Sequence, residues 1–139
     1  SNKGSVFITV TTILSILLIL MGMLMTISTT DMSISQNYSD GIKAYYMAQS
    51  GVELAMAAAL SKYASNSTTP ASGSYIQSEY SFAITKNVSW TLNWDIPSNK
   101  WKVTSTANYG NNRVSVRIIN VTLSIIRGKI VINSWQQIK

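Results

Sequence analysis

From Gly4 to Thr29 no residue carries a charge, and most of the side chains are large and apolar. The apolar heart of this run is Val6 to Ile27. Wound as an α-helix it measures about 33 Å, enough to cross a hydrocarbon layer. A chain of 139 residues cannot bury such a segment as the core of a soluble fold. The helix therefore belongs in a membrane, in a bundle of its own copies, or in each in turn.

A secretory signal has an apolar stretch of only about 7 to 15 residues, closed by a small-residue cleavage site. This run is longer, and no A-x-A pattern follows it. Lys3 precedes it and Asp31 follows it, which favours a cytoplasmic N-terminus with the remainder outside. The polar residues within it are Thr9, Thr11, Thr12, Ser15 and Thr26. Their hydroxyls can bond back to helix carbonyls, so lipid tolerates them. With Gly22 they also suit close helix–helix contact.

The remaining composition narrows the chemistry. There is no cysteine and no histidine. Thiolate chemistry is excluded, and so are the usual metal ligand and the usual general base near neutral pH. The acidic residues are Asp31, Asp40, Glu53, Glu79 and Asp95, scattered along the chain. No Gly-rich phosphate loop, GxSxG or HExxH pattern occurs. An enzyme, a cofactor and a metal site are not expected. The net charge is +6, with a modest concentration at Arg113, Arg117, Arg127 and Lys129. The plain reading is the solvated face of a β-domain; attraction to DNA or to acidic surfaces rests on net charge alone.

The helical pattern continues beyond the apolar run. Tyr38, Ile42, Tyr45, Val52, Met56, Leu60 and Tyr63 recur at steps of three, four or seven, and Ala55–Leu60 has high helix propensity. One rod of about 59 residues, near 90 Å, is the simplest expectation. Gly22, the Ser28–Thr30 trio and Gly41 weaken it, so local unwinding between Gly22 and Ser35 is expected in an assembled state. Residues 64–79 are small and polar, with Pro70 and Gly73, and read as a loop. Strand signals follow at Tyr80–Thr85, at Trp90, Leu92 and Trp94, at Lys100–Tyr109, at Arg113–Ile126, with Val114, Val116 and Ile118 on one side and Ser115 and Arg117 on the other, and at Lys129–Asn133. Pro97-Ser98-Asn99, Asn108 to Asn112, and Gly128 mark turns, and Trp135 falls in the tail. The organisation read is 1–30, a hydrophobic helix segment; 31–63, an amphipathic helix segment; 64–79, a loop; and 80–139, an antiparallel β-domain. The fold class is α+β, a long N-terminal helix packed on a sheet of four to five strands. Tyr38, Ile42, Tyr45, Val52, Met56 and Leu60 are the expected helix-to-sheet residues, and Trp94, Trp101 and Tyr45 read as core rather than as a ligand box.

Two segments carry a resemblance. Asn2-Lys3-Gly4-Ser5 stands before the apolar run, and Lys43-Ala44-Tyr45-Tyr46-Met47-Ala48-Gln49-Ser50-Gly51-Val52-Glu53 stands above it. With Trp101–Thr106 and Tyr109-Gly110 before the basic strand, the layout resembles the type IV pilin superfamily, in its clostridia-like Gram-positive form. The resemblance implies a subunit held in the membrane, trimmed by a prepilin peptidase, methylated and drawn by an assembly machinery into a helical homopolymer at the cell surface, with adhesion among its roles. Cleavage between Gly4 and Ser5 is what it implies, leaving Ser5 as the mature terminus; Ser1 is the other reading. Val6, Phe7, Ile13, Leu14, Leu17, Leu18, Leu20, Met21 and Leu24 would then pack the filament core. Pilins usually carry Glu at the fifth mature position; here that place is Thr9 or Ser5. Members lacking that Glu include tip subunits, so a minor or tip pilin, or a pseudopilin, is the second reading. A bitopic membrane-anchored β-domain with a binding role is the third. Sequons occur at Asn37, Asn66, Asn87 and Asn120, about as many as chance gives. Asn66 and Asn87 are the ones expected to be exposed for glycosylation.

Overall fold

A helix, α1, runs from Lys3 to Ala64 and is followed by five strands: β1 (Ala71–Ile76), β2 (Thr85–Asp95), β3 (Lys100–Gly110), β4 (Ser115–Ile126) and β5 (Lys129–Ile138). The computed structural model describes residues 2–76, 85–110 and 113–138. The strands form one antiparallel sheet whose spatial order follows the chain, β1-β2-β3-β4-β5. The fold is therefore α+β, a long N-terminal helix with a five-stranded antiparallel sheet, the class expected from the sequence. The chain divides into two compact units, Ser1–Gln36 and Asn37–Lys139.

The first unit is helix alone. Gly22 to Ser35 is helical throughout in the single chain, so the weak points there do not open it by themselves.

The second unit owes its core to strand alternation. Val88 and Leu92 from β2, Trp101, Val103 and Ala107 from β3, and Ile119, Val121 and Leu123 from β4 are buried. They share one sheet face, because successive side chains on a strand point to opposite sides. Against them lies the helix stripe Ala44, Ala48, Val52, Ala55 and Ala59, all fully buried, with Gly41 and Gly51 beside them. Ser105 sits within this contact and donates from Oγ to the Ala48 carbonyl at 2.7 Å. Trp94 meets Trp101 edge-on, with ring centroids 5.0 Å apart. Both rings thus belong to the packed layer, and Tyr45 and Trp90 pack partly against it.

Three local stops shape the unit. Asn66 takes φ 49°, its N–H bonds to the Tyr63 carbonyl and the Ser67 N–H reaches the Lys62 carbonyl. That is a Schellman cap, and asparagine is one of the few residues at ease in its left-handed position. Ile96–Asn99 join β2 to β3, with Asn99 at φ 54°. Arg127 and Gly128, at φ 52° and 75°, join Ile126 to Lys129 in a two-residue hairpin turn whose twist suits the strands it connects.

Two expectations need correction. The segment 64–79 is not all loop, since Ala71–Ile76 forms the edge strand β1, in register with β2 from Ala71↔Leu92 to Ile76↔Asn87. Its small polar residues show no alternation; main-chain pairing makes it a strand. The last strand also runs beyond Asn133 to Ile138, so Trp135 lies within β5 opposite Val121. A register shift at Thr122/Leu123 breaks the alternation that would have marked it. The expected strand Tyr80–Thr85 lies outside the described residues except for Thr85, which opens β2; of the expected turn, Asn108, Tyr109 and Gly110 instead end β3, and Asn111 and Asn112 lie outside the described residues.

Candidate functional site

In the first unit the candidate site is the helix surface. Val6, Phe7, Ile13, Leu14, Leu17, Leu18, Leu20, Met21 and Leu24 are all between 50% and 69% exposed. Apolar residues point in every direction, so no face of this segment is suited to water. The hydroxyls add no polar stripe. Thr9 donates to the Ser5 carbonyl at 2.9 Å, Thr12 to Ile8 at 2.8 Å, Ser15 to Thr11 at 2.8 Å and Thr26 to Gly22 at 2.9 Å. Each donor is satisfied within its own helix, which a hydrocarbon surrounding requires. Such a helix is long and apolar enough to cross a membrane. Gly4 and Ser5 fall in its first turns and are exposed.

In the second unit the helix meets the sheet through a different set of residues from the one its large side chains suggest. Val52 is buried, and Tyr45 and Met56 pack partly on the core. Tyr38, Ile42 and Leu60 are 72%, 39% and 38% exposed. The contact stripe is instead Gly41, Ala44, Ala48, Gly51, Val52, Ala55 and Ala59, again at helical spacing. The reason is distance. A Cβ at Gly51 would run into Ser105 Oγ and Val88 Cγ1, so the helix backbone lies too close to the sheet for larger groups. The big residues are pushed to the flanks.

One flank forms a cleft of about 290 Å³, lined by Tyr38, Gly41, Ile42, Tyr45 and Tyr46 from α1, Arg117 from β4 and Gln137 from β5. Arg117 shares the helix-facing side of β4 with Ile119 and Val121 and is half-buried. Its guanidinium lies against the helix: a Cβ at Gly41 would come within 2.7 Å of Nη2. Nη1 donates to the Val116 carbonyl at 3.0 Å, and among the described residues Arg117 has no ion-pair partner. The other basic residues of the expected concentration, Arg113, Arg127 and Lys129, are exposed. On the far side of Gly41, Lys43 Nζ bonds to the Tyr109 hydroxyl at 3.3 Å and stands 5.0 Å from that ring's centre. Sequence reading missed Gly41 and Arg117 as a pair, because they are brought together by the β4–helix contact alone.

Of the sequon residues, Asn66 is exposed and occupied structurally as a helix cap, while Asn87 is half-buried in β2 between Ile76 and Asn108. Among the described residues no group of His, Cys, Asp and Glu side chains is arranged to hold a metal.

These features can be set beside known families. Residues 3–53 match the family model described as PilX N-terminal. Over its apolar helix and the start of the sheet-packed one the chain is similar to this type IV pilin-related domain. The match covers a little over a third of the chain and ends before the sheet. No curated protein and no solved structure matches the chain.

Proposed function

We propose that this chain is a non-catalytic structural subunit of an extracellular, type IV pilus-like helical filament. Its leading helix holds it in the membrane before assembly and packs against other copies afterwards. The observation that carries this reading is the helix from Val6 to Ile27, apolar on all sides and exposed among the described residues. Lipid covers it at one stage, and identical helices at the other. Lipid tails are as apolar as leucine, so the transfer gains from close packing at residues such as Gly22 and Ser15 rather than from dehydration. The PilX N-terminal match over residues 3–53 supports the same placement. Trimming between Gly4 and Ser5 by a prepilin peptidase, a pilus assembly machinery as partner and the Gram-positive subtype follow from the sequence resemblance.

The absence of an acidic residue at both Ser5 and Thr9 favours a second reading, a minor or tip subunit that starts a pilus or secretion filament. Electron microscopy of purified surface material with labelled chain separates the two. Labelling along whole filaments supports the major subunit, labelling at ends supports the second reading, and solitary detergent-bound copies with no filaments sink both. Leu17→Glu places a charge in the packed helix and is expected to abolish filaments.

A further inference from the structure

The Arg117 cleft and the charge distribution along α1 pose complementary problems. Arg117 is a half-buried guanidinium in a cleft walled by Tyr38, Tyr45 and Tyr46, with no carboxylate of its own chain in reach among the described residues. Rings of this kind attract a cation and shield it from water, and a guanidinium pairs best with a planar, bidentate anion such as a carboxylate. Asp31 is the mirror case. It is exposed, it is the only charge between Gly4 and Ser39, and no basic residue lies within a helical turn of it. If the segment around it packs among copies, an unpaired carboxylate there is costly.

The other described acids do not share this predicament. Asp95 already has Lys102 at 3.2 Å and the Ser98 hydroxyl. Asp40 and Glu53 lie in the second unit, outside the leading unit whose helix is proposed to pack among copies.

We infer that the Arg117 cleft receives Asp31 of a second copy of this chain, and that this charge pair sets the register of the polymer. The inference rests on the filament reading. A contact between two different surface patches of the same chain is heterologous, the type that propagates into an open helix rather than closing as a dimer. It also supplies a registering carboxylate in a chain with no acidic residue in its first helical turn. Gly41 is then a residue of the docking site, because a Cβ there would meet Arg117 Nη2 at 2.7 Å and push the guanidinium from its present place.

Charge reversal tests it. Arg117→Glu and Asp31→Arg are each expected to cut the yield of sheared filaments about tenfold or more, the order expected when one member of a desolvated pair is lost. The detergent-extracted monomer should keep its unfolding midpoint. Combining the two reversals should return the yield to within about threefold of wild type, the signature of direct coupling. Normal yield from either single variant, or a double variant no better than the singles, overturns the proposal. So does rescue of Arg117→Glu by Glu53→Arg or Asp40→Arg in place of Asp31→Arg. Should Arg117→Glu fail to fold, a chain carrying Asp31→Cys and Arg117→Cys provides the second measurement. The protein has no native cysteine. Treating filaments with a bifunctional maleimide should yield a ladder of covalent oligomers, its spacer replacing the reach of the arginine side chain that a disulfide lacks, and the absence of a ladder counts against the contact. A wild-type chain that forms no filaments overturns the filament reading itself, and that outcome is visible before any variant is made.

Discussion

The two halves of α1 share a backbone and differ in what their side chains ask for. Before Gln36 the helix carries leucines, isoleucines and methionines on every side, exposed, with its hydroxyls turned back to its own carbonyls. After Asn37 it buries alanines and glycines against a sheet and turns its large residues to the flanks. Burial by one's own chain selects small residues where backbone must approach backbone. Burial by lipid or by other copies selects size and uniform apolarity instead. The same regular element is thus finished internally in one half and left open to another molecule in the other.

The comparison breaks most sharply with a matched pair of truncations. Leu92→Ala removes a fully buried side chain from the sheet core and is expected to cost about 2–5 kcal/mol of stability. Leu17→Ala removes the same atoms from a half-exposed position and should leave the unfolding of the detergent-solubilised chain almost unchanged. Denaturant titration followed by tryptophan fluorescence reads both. Equal effects would mean that the leading helix is as internally packed as the sheet.

Much of this contrast was legible in the sequence, and the exceptions share a cause. Hydropathy exposed the first half at once, and alternation placed β2 and β3 through Trp90, Leu92 and Trp94 and through Trp101 and Val103; in β4 it pointed to Val114, Val116 and Ile118, whereas the buried side is Ile119, Val121 and Leu123, with Arg117 in line with them. The contact stripe of the second half escaped because alanine and glycine give little hydropathy contrast, so Tyr38, Ile42 and Leu60 drew attention to the wrong side of the helix. β1 escaped because Ser72, Gly73 and Ser74 are turn formers by composition, and only pairing with β2 makes them a strand. The Arg117 cleft escaped because residues 41 and 117 meet through tertiary packing, which one-dimensional spacing does not report.

The close approach at Gly51 can be tested next. Gly51→Ala drives a Cβ into Ser105 Oγ and Val88 and is expected to cost about 1–3 kcal/mol by overpacking. Ser105→Ala alone removes the bond to the Ala48 carbonyl, for about 1 kcal/mol. Joined, they should cost less than the two separately, since deleting Oγ opens the space that the new methyl needs. Simple additivity would show that the helix shifts bodily away from the sheet. At Gly22 in the leading half nothing lies near an added Cβ, so Gly22→Ala should leave the single chain's stability unharmed.

The smallest effect concerns charge in the second unit. Asp95 closes β2, its carboxylate taking a hydrogen bond from the Ser98 hydroxyl and standing 3.2 Å from Lys102 Nζ. The Ser98 bond first, and Lys102 second, hold its pKa below the ordinary 3.8. A lowered pKa means that the folded state releases the proton more readily than the unfolded chain. The stabilisation is therefore complete above about pH 4 and is lost as the pH falls through the folded value. The pair is open to solvent, so the change should be slight and should shrink further in high salt. Acid titration of the unfolding midpoint for wild type and Asp95→Asn checks this: the two curves should differ near neutrality and converge in acid. A gap that persists at low pH would mean that the residue holds the Ile96–Asn99 turn by shape rather than by charge.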